Sequence, residues 1–114
     1  MFLEESRLRD SVKGGALTEV TFFILLSLYT PNHGYGIMKF IEEKTQGRLV
    51  LGAGSLYGAI NTLQERSWIT PLDDGKGRKK EYVITKTGKE MADIEIKRLK
   101  NLISIAEEIM GGQV

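Results

Sequence analysis

Gly52-Ala53-Gly54-Ser55-Leu56-Tyr57-Gly58-Ala59-Ile60-Asn61-Thr62-Leu63, then Trp68-Ile69, then Gly77-Arg78-Lys79-Lys80-Glu81-Tyr82-Val83-Ile84-Thr85, is the stretch on which the fold turns. Leu56, Ala59, Ile60 and Leu63 recur at helical spacing and form one apolar stripe. Tyr57, Gly58, Asn61, Thr62, Gln64 and Glu65 fall on the other side. Ser55 offers a hydroxyl suited to capping this helix. Trp68 to Leu72 and Lys80 to Ile84 read as two strands, joined by the turn-rich tip Asp73-Asp74-Gly75-Lys76-Gly77-Arg78-Lys79. A polar-faced helix, a strand, a basic tip and a second strand make up a winged helix-turn-helix. That arrangement sets a helix in the major groove of DNA and a charged hairpin against phosphates.

Upstream, Thr18 is placed to cap a helix that runs to Tyr29 and is apolar on nearly every side, the mark of a central buried helix. Pro31-Asn32 ends it. A second helix is expected from His33–Tyr35 to Thr45, with Ile37, Phe40 and Ile41 inward and Gly47 as its stop. Arg48 to Leu51 reads as a short strand. From Thr87 onward helix formers dominate, and Ile96, Leu99, Ile103, Ala106 and Met110 follow the 3-4-3-4 spacing of a coiled-coil seam. Ile94, Leu102, Ile105 and Ile109 widen that seam, and Gly111-Gly112 ends the helix. The expected class is mainly α (α+β): a winged helix-turn-helix domain with a two-stranded wing and one long C-terminal dimerisation helix. Residues 1–88 form the DNA-binding unit with an N-terminal helix or arm, and residues 89–114 the dimerisation helix.

Composition removes other classes. The chain has 114 residues, enough for one small domain, and a net charge of +1, so nucleic-acid binding must rest on local charge. With no cysteine there is no disulfide or thiolate metal site, which fits a cytoplasmic protein. The most apolar run, Val20 to Leu28, is far shorter than the roughly 20 residues that span a bilayer, so no membrane partner is expected. Gly52-x-Gly54-x-x-x-Gly58 with Asp73 imitates a dinucleotide-binding turn, but one short strand before a basic hairpin is no parallel sheet. His33, the single histidine, lacks ligands at metal spacing and beside Gly34 serves better to cap or pack. No cofactor, metal or catalytic residue is expected, and the chain reads as no enzyme.

The groove-reading chemistry falls on few residues. Gly54, Ser55 and Gly58 let the third helix approach DNA closely, and Asn61 can pair with adenine in the major groove. Tyr57 can hydrogen-bond a phosphate or pack on a thymine methyl. That face carries no Lys or Arg, so guanine reading by a bidentate arginine is absent. Lys76, Arg78, Lys79 and Lys80 concentrate positive charge at the hairpin tip. Near-neutral charge leaves an alternative: a winged-helix protein-interaction module that uses its apolar C-terminal stripe and does not bind DNA.

Three stretches together resemble the PadR-like family of winged-helix transcriptional regulators: His33-Gly34-Tyr35-Gly36-Ile37, Gly54-Ser55-Leu56-Tyr57 to Leu63 with Trp68-Ile69, and Gly77-Arg78-Lys79-Lys80-Glu81-Tyr82 to Thr85-Lys86-Thr87-Gly88. The resemblance covers residues 16 to 90. It implies a homodimeric repressor of transcription, joined through the N-terminal helix and the single long C-terminal helix, that binds double-stranded DNA at a palindromic operator, often with release by a small aromatic or drug-like effector. Carried over by position, Tyr35, Ser55, Tyr57 and Lys76 to Lys79 become DNA contacts, with Lys13 adding a phosphate contact. The dimer interface comprises Ile96, Leu99, Leu102, Ile103, Ala106 and Met110. The C-terminal helix lacks the tryptophan with which drug-binding members sandwich planar ligands, and Trp68 fits the core instead.

Overall fold

Thr18 opens the first helix: its side-chain oxygen accepts the Thr21 N–H, and helix α1 (Glu19–Ser27) follows with Glu19 in its positive first turn. The computed structural model describes residues 16–72 and 80–111. After α1 come strand β1 (Asn32–His33), helix α2 (Gly34–Lys44), helix α3 (Ala53–Glu65), strands β2 (Ile69–Leu72) and β3 (Glu81–Ile84), and helix α4 (Lys86–Gly111). The expected phosphate-binding residues Lys13, Lys76, Arg78 and Lys79 lie outside the described residues.

The two expected wing strands pair antiparallel, Ile69 opposite Ile84 and Leu72 opposite Glu81. A third strand joins them, because Asn32 and His33 pair with Tyr82 and Glu81, making β3 the centre of a three-stranded sheet. Pro71 is tolerated because β2 is an edge strand. Alternation along β3 sends Tyr82 and Ile84 into the core while Glu81 and Val83 stay half-buried.

Ile24, Leu25 and Leu28 of the α1 region meet Ile37 and Ile41 of α2, and Leu56, Ile60 and Leu63 of α3. Ile69, Tyr82, Ile84 and Trp68 close the cluster. Burying each large aliphatic side chain contributes about 1.5–3 kcal/mol, so this three-helix core over a small sheet holds the fold.

Two Schellman turns set how α2 and α3 stop. After α2, Gln46 and Gly47 both take left-handed backbone, and their N–H groups donate to the Glu43 and Glu42 carbonyls. The helix therefore ends at Lys44, and Gln46 shares the turn with Gly47. After α3, Ser67 is left-handed, its N–H donates to the Gln64 carbonyl, and the Trp68 N–H donates to that of Leu63. This turn swings Trp68 into the core, where Arg66 lies over its ring.

Several boundaries differ from expectation. The first helix stops at Ser27, two residues before Tyr29, with Leu28 as its C-cap. Nor is α1 sealed on all sides: Val20, Phe22, Phe23 and Leu26 are half-buried. Arg48 to Leu51 is not a strand, because among the described residues no neighbouring strand supplies a ladder there. The Gly52–Gly58 run thus lacks the strand a dinucleotide turn would need. The cap of α3 is Gly52 and not Ser55, which sits in the first helical turn. The last helix starts one residue before Thr87, because Thr85 accepts the Gly88 N–H and donates to the Ser67 carbonyl.

Candidate nucleic-acid interface

The outward face of α3 follows from its inward one. With Leu56, Ile60 and Leu63 buried, helical geometry sends Ser55, Tyr57, Gly58 and Asn61 to the exposed side. The first turn is bare: Gly52 makes no side-chain cap bond, and a side chain added at Gly52, Gly54 or Gly58 would meet open space. First-turn N–H groups at the positive end of a helix with no bulk around them suit an oxyanion such as phosphate.

The start of α2 lies beside this face. His33 caps α2 through Nδ1, which accepts the Gly36 N–H at 3.2 Å, so the imidazole serves the backbone. Its ring is stacked with Tyr35, centroids 6.5 Å apart and planes 7° from parallel. Tyr35 is 64% exposed and projects from the helix start. Tyr57, 44% exposed, reaches across from α3, with its hydroxyl packed against Gly34 so closely that a methyl group there would collide with it. Tyr57 is thus partly a packing residue that locks α3 to α2. It also lies near Tyr82, whose phenol is held above its ordinary pKa first by burial and then by Tyr57.

The base of the wing joins the same surface. Pairing of His33 with Glu81 places the start of β3 alongside the start of α2, and exposed Lys80 precedes it. Tyr57 thus joins α3 to the start of α2 that carries Tyr35, Asn61 is exposed one turn further along α3, and Ser55 is exposed in its first turn. Lys80 precedes β3 beside the start of α2, while Lys13, Lys76, Arg78 and Lys79 fall outside the described residues.

A second surface lies along α4. Its buried positions are Gly88, Ala92 and Glu95. Beyond them Ile96, Leu102, Ile103 and Met110 are exposed, Met110 by 79%, while Leu99 and Ala106 are half-buried. Ile94, Ile105 and Ile109 are exposed as well. Where α4 leaves α1, Leu17, Phe22, Phe23, Leu26 and Leu99 line a groove of about 400 Å³, with Glu19, Glu95 and Arg98 at its polar edge.

Reading the sequence for apolar spacing misses the pair Glu95–Arg98. The Glu95 carboxylate accepts Arg98 Nε at 2.9 Å and a second guanidinium N–H at 2.7 Å, and it accepts the Leu17 N–H at 3.3 Å. The Arg98 hydrogen bonds hold its pKa below the ordinary carboxylate value despite burial, which pushes the other way. The signal present in the chain is a charged residue between Ala92 and Leu99, on the buried stripe of an otherwise amphipathic helix. Glu19 forms a more exposed pair with Arg48, which ties the start of α1 to the loop after α2.

No helix among the described residues is long and apolar enough to cross a membrane. The Escherichia coli transcriptional regulator YqjI is 39% identical over 57 residues, half of this chain and 27% of its own length. The chain spans only a fifth to about a quarter of the length of the curated relatives it matches. Among solved structures, a transcriptional regulator from Clostridium thermocellum superposes with a TM-score of 0.68 at 21% identity, covering 90% of this chain and 93% of that one. Bacillus subtilis PadR in complex with operator DNA gives a TM-score of 0.59 at 22% identity, covering 69% of this chain and 47% of that one. At such identities the superpositions speak for the fold alone, a winged helix with a small three-stranded sheet. The model of the Transcriptional regulator PadR-like family matches residues 24–93, from the middle of α1 through the wing into α4, and this chain belongs to that family of regulators.

Proposed function

We propose that the chain is a sequence-specific DNA-binding repressor acting as a homodimer on a palindromic operator. The observation that carries this reading is the exposed face of α3, with Ser55, Tyr57 and Asn61, locked through Tyr57 to the start of α2 that carries Tyr35 and that pairs with the base of the wing. The bare first turn of α3 fits a phosphate, exposed Asn61 carries an amide suited to an adenine edge, and Lys76, Arg78 and Lys79 supply wing charge. Lys13 adds a further phosphate contact. The operator complex of Bacillus subtilis PadR, a protein of the same fold, supports a DNA partner.

Dimerisation follows from the uncovered apolar arc of α4, with Ile96, Leu99, Leu102, Ile103, Ala106 and Met110 as its seam. Residues 1–88 then act as the DNA-binding unit and residues 89–114 as the dimerisation helix, which presents two α3 helices to successive major grooves roughly 34–36 Å apart. The groove lined by Phe22 and Phe23 has the volume and apolar walls for a small aromatic effector.

The test is selection of bound duplexes from a random library. A two-fold symmetric site is expected, and Asn61→Ala should relax preference at one base pair of each half-site while leaving the others. Recovery of unrelated sequences, or a uniform loss across all sites for Asn61→Ala, would count against base reading by α3.

A further inference from the structure

Glu95 is the last buried residue of α4 and is 2% exposed, in a position where helical spacing calls for an apolar side chain. Its carboxylate is tied on both sides, by two guanidinium hydrogen bonds from Arg98 and by the Leu17 N–H just ahead of the Thr18 cap. Apolar packing is non-directional and lets a helix roll or tilt on its seat. A buried carboxylate with a half-buried guanidinium beside it adds little to stability over an apolar pair of equal size, but its hydrogen bonds are directional and hold the carboxylate in one arrangement. Arg98 stands three residues on along the same helix and orients the carboxylate, and the hydrogen bond that crosses to the start of α1 is the Leu17 N–H at 3.3 Å; held by Arg98, the Glu95 carboxylate marks where α4 leaves α1.

That point is a pivot. The helix continues through Gly111, which at about 1.5 Å per residue carries it roughly 24 Å past Glu95. A tilt of about 10° there moves its far end by about 4 Å, slightly more than the roughly 3.4 Å between successive base pairs. We propose that the Glu95–Arg98 pair, seated on the Leu17 N–H, is a positioning element that sets the angle of α4 and so the half-site spacing the dimer accepts. This rests on the dimeric DNA-binding reading above. Neither residue touches DNA in this account; they act through the helix.

The variants are Glu95→Met, which keeps the volume without the charge, and Glu95→Gln, which keeps the shape. Each is compared with the unaltered chain in a selection whose spacer between half-sites varies by single base pairs. The unaltered protein should prefer one spacer by about tenfold, the scale of a single base-pair mismatch. Glu95→Met should lose that preference, and Glu95→Gln, whose amide oxygen still accepts the Leu17 N–H but cannot also take both guanidinium hydrogen bonds, should lose less of it. In parallel, the cysteine-free chain accepts spin labels at Asn61→Cys and Glu107→Cys. With labelled chains diluted into unlabelled protein, the distance from α3 to the end of α4 should be narrow for Glu95 and broad or displaced for Glu95→Met. A merely structural role would lower thermal stability and leave both readouts in place. Unchanged distances overturn the proposal, as does an unchanged spacer preference. If the unaltered chain selects no duplex, the DNA-binding reading fails and the spacing role with it, while the distances still show separately whether the pair fixes the helix.

Discussion

At position 88 a side chain of any size would run into the backbone carbonyl of Trp68 and the side chain of Ile84. Gly88 is what lets the first turn of α4 lie against the start of the wing, and its N–H is already taken by Thr85. Because the obstacle is backbone, Gly88→Ala is expected to destabilise the fold by about 1–3 kcal/mol in chemical denaturation, despite alanine's better helix propensity. A variant as stable as the parent would show that α4 can shift without loss. Ser67 is the opposite case. It sits in left-handed backbone at φ 64° to close the turn after α3, where glycine is unstrained. Ser67→Gly should therefore raise stability by about 0.5–1 kcal/mol, and a loss would mean its side chain has a role beyond the turn.

The elements differ in how far they can be read from the chain, and the differences have physical causes. Helix α3 is legible because Leu56, Ile60 and Leu63 repeat at helical spacing and must be buried together. The run Leu49-Val50-Leu51 suggests a strand by composition, but a strand needs a partner, and the sheet edge is elsewhere. Asn32-His33 pairs with β3 over only two residues, too few for any period to appear. The cap of α3 is easily misplaced because Gly52 and Ser55 both suit a cap, and only the backbone path decides. The exposed Tyr35, Ser55, Tyr57 and Asn61 are legible as residues, whereas the packing of Tyr57 on Gly34 depends on how the helices meet. Glu95 is hidden by its own stripe. Its carboxylate is held ionised below the ordinary carboxylate value, chiefly by the Arg98 hydrogen bonds. A lowered folded-state pKa means the stabilisation is complete above the unfolded carboxylate's value and fades as pH falls through the folded one. Glu95→Gln should flatten the acid limb of a stability–pH curve below about pH 4.5, the region of unperturbed carboxylates. Parallel curves for parent and variant would assign the acid sensitivity to other groups.

On the scale of the whole molecule, the proposed function divides the chain's surfaces by task. The core of α1, α2, α3 and β3 holds one polar face outward, and α4 carries an apolar arc beyond its own unit. With a net charge of only +1, the proposed attraction to DNA must come from where the cations stand rather than how many there are. The most direct measurement is fluorescence anisotropy of a labelled duplex titrated with the protein at several salt concentrations. Binding should weaken linearly on a log–log plot against salt, and replacing Arg78 and Lys79 together with alanine should reduce the slope by about two, one for each phosphate no longer neutralised. No binding at low salt, or a slope untouched by those substitutions, would contradict a wing laid against the phosphate backbone.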